Sequence, residues 1–230
     1  MLSVENISVS IAGVRVLRDV SFEIAERKTT VLIGRNGAGK TTTLRAIMGL
    51  LPLDSGSVRL DGNEISGAPA YRRAHLGIGY APEDRRLVAE MSVAENIRLP
   101  ALALKLDKAE TSRRLDEVYA LLPDLHTMRD RPGGGVSGGQ GKMVALGRAL
   151  MVAQKLLLLD EPFQGLAPAL ALAYARTLGD VRKQRPELAL LITESSPSLL
   201  NTIADRTLQI ERGEILSLSQ TNETPHAVAV

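Results

Sequence analysis

Across residues 1–33, apolar and polar positions alternate in short runs rich in β-branched residues: Ser3 to Val9, Val14 to Leu17, Val20 to Ile24 and Lys28 to Ile33. Alternation at period two puts one set of side chains on each face of an extended chain, so each run is expected to be a strand. The pattern then changes. A glycine-rich turn leads into Thr41 to Leu50, where Leu44, Ile47 and Met48 recur at helical spacing and Pro52 is expected to end the run. Strands near Val58 to Leu60 and Ile78 to Tyr80 bracket a helix at about Ala70 to His75. From about Glu83 to Gln154 the periodicity is mostly helical. Asp107 to Glu110 reads as a cap for a helix whose Leu115, Val118, Tyr119 and Leu122 share one face. Pro132 to Gly135 interrupts this region, and a further helix is expected from Ser137.

Lys155 to Leu159 is a continuous apolar run bounded by Asp160 and Pro162, the pattern of a strand covered on both faces. Alternation of element types resumes after it. A helix from Pro168 to about Lys183, a strand from Leu188 to Thr193, a short helix, and closing strands near Thr207 to Ile210 and Glu214 to Leu218 are expected, with Ser219 to Val230 as a loose tail. No internal repeat interrupts the order.

Composition narrows the class. The chain has 230 residues, 44% hydrophobic and 23% charged, enough for one large domain or a core with an inserted subdomain, and too apolar for disorder. Its net charge of +2 comes from interleaved acids and bases, and it has two Phe, four Tyr and no Trp. With neither a basic stripe for a phosphate backbone nor rings for base stacking, no nucleic-acid partner is expected. The absence of cysteine excludes disulfides and thiolate metal sites. Met1 to Asn6 lacks the basic and apolar regions of a signal peptide, so the mature chain is expected to begin at Met1. Met143 to Leu159 is broken by Arg148, Gln154 and Lys155 and falls short of the roughly 20 apolar residues that span a bilayer. Any membrane role is therefore exercised from the side.

Three short segments carry chemistry. Gly34-Arg35-Asn36-Gly37-Ala38-Gly39-Lys40-Thr41 matches the GxxxxGK(S/T) phosphate loop. Its glycines let successive backbone N–H groups face phosphate oxygens, the helix that follows adds its positive end, Lys40 reaches the terminal phosphates and the Thr41 hydroxyl can ligate Mg²⁺. Leu156 to Glu161 is an apolar strand ending in two carboxylates. Asp160 is placed to hold the Mg²⁺ shell, and Glu161 to polarise an attacking water. Ser137-Gly138-Gly139-Gln140 has the spacing of a capping box. Two glycines in a first turn cost about 1 kcal/mol each relative to alanine, which points to a use for bare backbone, such as a second anion site at a helix N-terminus.

In chain order, Gly34 to Thr42, Ser137 to Gln140 and Leu156 to Glu161 resemble the Walker A, signature and Walker B motifs of the ABC ATPases, over residues 1 to about 218. Tyr80 to Arg86, Ala94-Glu95-Asn96 and Gly165 to Pro168 further resemble the ATPase subunits of branched-chain amino acid importers and their relatives for amides and other small polar solutes. The resemblance implies an α/β P-loop NTPase fold: a RecA-like core with a mainly parallel sheet and an antiparallel β-subdomain, spanning 1–83 and 155–218, with a helical subdomain inserted at 84–154. It implies ATP and Mg²⁺ as cofactors. ATP is expected on Gly34, Asn36, Gly37, Ala38, Gly39, Lys40, Thr41 and Thr42, and on Ser137, Gly138, Gly139 and Gln140 of a second ABC ATPase subunit, identical or not. Mg²⁺ is expected on Thr41, Asp160 and Glu83, and catalysis from Glu161, Lys40 and Ser195. The implied partners are integral membrane permease subunits and a periplasmic or external solute-binding protein, with the chain peripheral on the cytoplasmic face of the inner or plasma membrane.

Three positions depart from the general pattern. Ala12 stands where an aromatic ring usually stacks on adenine, Glu83 where the loop between subdomains usually has Gln, and Ser195 where a histidine is usual. A serine can donate a hydrogen bond but carries no positive charge, so slow turnover is one expectation. His75, His126 and His226 read as solvated side chains, Phe163 and Gln164 as packing variation, and Arg148 as a solvated charge or salt-bridge partner. A second reading is therefore a nucleotide-gated structural subunit paired with a more active ATPase. A third, an ABC ATPase outside transport, usually needs coiled-coil insertions or tandem cassettes that this length does not provide.

Overall fold

In the computed structural model, which describes residues 1–216, the alternating N-terminal segments form an antiparallel sheet in the order β2-β1-β4-β5. Its strands are β1 (Leu2–Ile11), β2 (Val14–Ile24), β4 (Ser55–Leu60) and β5 (Asn63–Glu64). The runs Val14 to Leu17 and Val20 to Ile24, expected as two strands, are one. The extra residue between them is absorbed as a bulge, because the step from Ile7 to Val9 on β1 faces the longer step from Val20 to Leu17 on β2. Asp19, at φ 47°, takes the strain there, and the Ser8 hydroxyl accepts from its N–H and donates to its carboxylate.

The apolar runs form a second sheet in the order β10-β9-β3-β8-β7-β6. β3 (Thr29–Ile33), β6 (Ile78–Ala81), β7 (Leu156–Asp160), β8 (Ala189–Glu194) and β9 (Arg206–Glu211) pair in parallel, and β10 (Glu214–Leu216) is antiparallel to β9. Period two splits β7 between two cores. Leu157 and Leu159 join the helical side, whereas Leu156 and Leu158 pack with the antiparallel sheet and α1 (Lys40–Ile47). This is why the run reads as uniformly apolar: both faces are covered.

Helix α1 stops earlier than Pro52 predicts. Gly49, at φ 67°, closes it: the Gly49 N–H bonds to Ala46 O and the Leu50 N–H to Arg45 O, the Schellman arrangement. Arg73 of the short helix α2 (Arg72–His75) is fully buried behind this end, its Nε donating to Ile47 O at 2.9 Å and its Nη1 to Ala68 O at 3.2 Å, while Nη2 has no partner.

The region from Glu83 begins as a loop instead of a helix. Arg85 and Arg86 sit at φ 61° and 49°, outside the helical region, and α3 (Val93–Ala103) starts only after Ser92, which forms a capping box with Glu95. Asn96 shapes the loop. Fully buried, it accepts from the Val88 N–H and donates to the carbonyls of Val88, Met91 and Ser92. Helices α4 (Lys108–Leu121, capped by Asp107), α5 (Pro123–Thr127) and α6 (Gly138–Leu150) complete the inserted region, and α7 (Pro168–Gln184) returns to the sheet. The short helix expected after β8 is absent. Pro197 to Ala204 instead forms turns held by Leu200 N–H to Pro197 O and Ile203 N–H to Leu200 O. The expected tail, Ser219 to Val230, lies outside the described residues.

Candidate active site

The phosphate loop joins the C-terminal end of β3 to α1. Gly39 is the N-cap of α1 at φ 114°, and a Cβ there would meet Leu17 Cδ2 at 2.8 Å, so only glycine fits. No side chain caps the helix and its first turn holds no acid, which leaves its N–H groups and positive end for an anion. Lys40 is 3% exposed. Its Nζ donates to Gly34 O at 2.6 Å and Arg35 O at 3.1 Å, and lies 3.0 Å from Glu161 Oε1.

Asp160 and Glu161 follow from the strand that ends beside this loop. Asp160 Oδ1 accepts from the hydroxyls of Thr41 at 3.0 Å and Thr193 at 2.9 Å, and Oδ2 from Tyr80 at 3.2 Å. Burial pushes the Asp160 carboxyl above its usual range, the three hydroxyl bonds oppose this, and the Glu161 charge adds to it. Burial likewise raises Tyr80, and the neighbouring Asp160 charge reinforces it. Thr41 and Asp160 thus present a hydroxyl and a carboxylate side by side. These are hard oxygen donors of the kind Mg²⁺ takes when phosphates and water complete its shell. Among the described residues no cluster of three or more His, Cys, Asp or Glu forms a metal cage by itself. The donor set therefore fits a metal shared with phosphate.

Glu161 is buried at φ 44°, an uncommon conformation for a residue with a side chain. Its N–H donates to both the carbonyl and the hydroxyl of Thr193, each at 3.1 Å. Its carbonyl accepts from the Gln164 N–H at 3.2 Å and from Lys142 Nζ at 2.6 Å. With its amide turned to satisfy its neighbours, Gln164 donates to Glu83 Oε1 at 2.7 Å and Glu161 Oε2 at 3.0 Å. Gln164 is thus a link between the two acids, not packing variation. Phe163 does pack, edge-on against Tyr174, and its N–H donates to Glu194 Oε1 at 2.9 Å. Burial raises Glu194 to about 7 against that bond, with the Glu161 charge pushing the same way. Burial lowers the Lys142 ammonium, while Glu194, Glu83 and Glu161 pull it back up.

Ser195 lies at the loop's rim, its Oγ donating to Asn36 Oδ1 at 3.1 Å. The signature turn is placed differently. Ser137 and Gln140 form the reciprocal capping box, and among the described residues no hydrogen bond joins Ser137–Gln140 to Gly34–Thr42. The exposed Leu170 side chain lies over the bare backbone of Gly139 and would have to shift for a Cβ there. Arg148 is no solvated charge, since it donates to the carbonyls of Arg85 and Arg86, and burial lowers its pKa. Ala12 and Gly13, at φ 49° and 80°, form the β1–β2 hairpin turn. His75 and His126 are exposed, and His226 lies outside the described residues. Lys142, Tyr80, Thr193 and Glu194 are absent from the sequence-derived site. A surface recess of about 750 Å³ between α7 and residues 198–203 lies away from this chemistry.

An uncapped helix behind a glycine loop, set against a strand-end carboxylate pair that touches both Lys40 and Thr41, defines a P-loop nucleotide hydrolase. The ABC transporter family profile matches residues 17–164, and the chain belongs to that family. It is 34% identical over 208 residues to the lipopolysaccharide export system ATP-binding protein LptB of Acidithiobacillus ferridurans, covering 90% of this chain and 85% of that protein. It is also 34% identical over 216 residues to the high-affinity branched-chain amino acid transport ATP-binding protein BraG of Pseudomonas aeruginosa, covering 94% and 91%. Among solved structures, a nucleotide-free ATP-binding cassette from an ABC transporter superposes with a TM-score of 0.81 at 26% identity, covering 96% of this chain and 91% of that one. A second cassette, in its ADP conformation, gives 0.80 at 27% with the same coverages. The fold is that of the P-loop ABC cassettes, and the chain is an ATP-binding, ATP-hydrolysing subunit of an ABC transporter. No helix among the described residues is long and apolar enough to cross a membrane.

Proposed function

We propose that this ATPase powers uptake of a branched-chain amino acid or a related small polar solute, with Glu161 as the base of its hydrolytic site. The observation that carries the site reading is the convergence of Lys40, Thr41, Asp160 and Glu161 within direct bonding distance at the strand ends. Lys40 exchanges its contact with Glu161 for the β and γ phosphates of ATP. Glu161, so released, takes a proton from water as the water oxygen bonds to the γ phosphorus and the bond to the β-phosphate oxygen breaks, leaving ADP and phosphate. Thr41, Asp160 and Glu83 would hold Mg²⁺, which would supply neutralisation of phosphate charge when bound. Asn36, Gly37, Ala38 and Thr42 complete the cradle. Ser195, held on Asn36, offers a hydroxyl to the γ-phosphate side of the loop. Ser137 to Gln140 faces the nucleotide of a second ABC ATPase subunit in a head-to-tail dimer, since its bonds within this chain lead elsewhere. Residues 84–154 then move as a helical subdomain against the core, on permease subunits at the cytoplasmic face of the membrane, with an external solute-binding protein delivering cargo.

BraG supports the importer reading. The equal identity to LptB supports a second one, an export ATPase. Affinity purification of the tagged chain from detergent-solubilised membranes, followed by solute uptake in vesicles, separates them. Copurifying permeases with ATP-dependent uptake of radiolabelled leucine or an amide establish the importer, and partners that move a lipid outward establish the exporter. Phosphate release with Glu161→Gln tests the site: turnover at the wild-type rate removes Glu161 from the mechanism.

A further inference from the structure

Glu161 is held in its left-handed conformation from several sides. Thr193 of β8 takes its N–H, Lys40 of α1 and the following Gln164 take its carboxylate, and the Gln164 N–H reaches its carbonyl. Each of these comes from the core or from the loop directly after β7. The remaining bond, Lys142 Nζ to the Glu161 carbonyl at 2.6 Å, comes from α6, the helix that begins with the signature turn. A non-glycine residue in this region is strained and persists only when its surroundings over-determine it, so removing a clamp gives the segment freedom to relax. Lys142 is also the cation set among Glu83, Glu161 and Glu194.

We propose that Lys142 is a positioning residue for hydrolysis. It fixes the backbone of Glu161 and ties the aim of that carboxylate to the placement of α6, so that whatever engages Ser137 to Gln140 is felt at the base along one rigid 13-residue helix. This rests on Glu161 being the base. A shift of α6 relative to β7 moves Nζ away from the Glu161 carbonyl and lets the peptide turn, which misdirects the side chain without touching the phosphate loop.

The test uses Lys142→Met, Lys142→Gln and Lys142→Arg in the full chain copurified with its membrane partners. For Met and Gln, kcat falls about 10–100-fold, the scale at which a misplaced group costs rate, while the affinity for a fluorescent ATP analogue stays within about threefold of wild type. Arg, which keeps a cation and a donor, recovers most of the loss. Hydrogen exchange of the peptide covering residues 157–166 accelerates in Met and Gln but not in Arg. Glu161→Gln is the control. Turnover at the wild-type rate in Glu161→Gln defeats the base and this proposal together, whereas an inactive Glu161→Gln beside a Lys142→Met enzyme with wild-type kcat overturns this proposal alone. A parallel loss of kcat, ATP affinity and Tm in Met, Gln and Arg overturns it too, as that marks a simple tether between the subdomains.

Discussion

On the core side, the carboxylates end a strand whose backbone is bonded on both flanks. Asp160 closes β7 between β6 and β8, and three hydroxyls from three other elements reach it. On the helical side, α3, α4 and α6 start on caps made within their own first turns, and exposed ion pairs such as Arg113 with Glu110 and Glu117 decorate the outer face of α4. The first arrangement fixes positions by cross-links between distant segments, and the second makes each helix self-sufficient at its ends. A self-capped body can shift as a unit without opening its own hydrogen bonds, while the core cannot change shape without breaking several at once. Polar bonds across the seam include Lys142 to Glu161 O, Arg185 to Ala153 O and the Gln154 N–H to Gly77 O, while Arg148 to Arg85 O and Arg86 O, with Arg85 to Gly138 O, tie the connecting loop to α6.

The contrast is broken hardest from the core. Lys40→Ala removes the charge aimed at the terminal phosphates and is expected to abolish ATP binding, which titration with a fluorescent ATP analogue reads directly. The buried acids give the next effect. Glu194 holds its proton to about pH 7 in the fold but to its ordinary 4.5 when unfolded, so the native state binds more protons between those values and stability falls as pH rises through that window. Asp160, also raised, acts in the same sense. Tm should therefore decline from pH 5 to 8, and Glu194→Gln should flatten the decline and raise Tm at pH 8, by at most about 3 kcal/mol of stability. A wild-type Tm flat over this range would contradict the raised acids.

Freeing the connecting loop from α6 comes third. Arg148→Met leaves the carbonyls of Arg85 and Arg86 without that donor and is expected to cost about 1–3 kcal/mol, with faster proteolysis in residues 83–92. The helical side yields the least. Ser92→Ala deletes one half of the α3 capping box, and chemical denaturation should show a loss of about 1 kcal/mol with ATP affinity unchanged. An effect of Ser92→Ala on ATP binding larger than that of Arg148→Met would mean that the two sides are coupled through α3 and not through α6.

Gly34 to Thr41, Leu156 to Glu161 and the Ser137 cap are readable because each is a local pattern, with cause and consequence inside a few residues. Asn96 and the Ser92–Glu95 box carried a local signal too, a Ser three places before a Glu, and reading it would have started the helix at Val93 instead of about Glu83. What the sequence hides is convergence. Tyr80, Thr193 and Lys142 reach Asp160 or Glu161 from other elements, and nothing local to a Tyr on a strand, a Thr at the end of another or a Lys in a helix announces that meeting. Gln164 illustrates the same limit at short range, because the bond to Glu83 that gives it a role depends on how the loop after β6 is folded. The β2 bulge is invisible for the opposite reason, since a break in alternation looks alike whether a strand ends or carries one residue too many.

Arg73 makes α1 a helix with a job at each end. Its Nε donates to the last carbonyl, Ile47 O, while the uncapped first turn opens the phosphate loop, and an eight-residue helix is only about 12 Å long. The cation lowers its own burial cost by meeting the negative pole of the helix whose other end opens the loop. Position 73 therefore anchors the helix that carries Lys40 and Thr41 without touching either. Among homologous chains, substitution there should be rarer than in the neighbouring exposed Arg72, and where it occurs, another basic group should arrive at the same helix end by a different route.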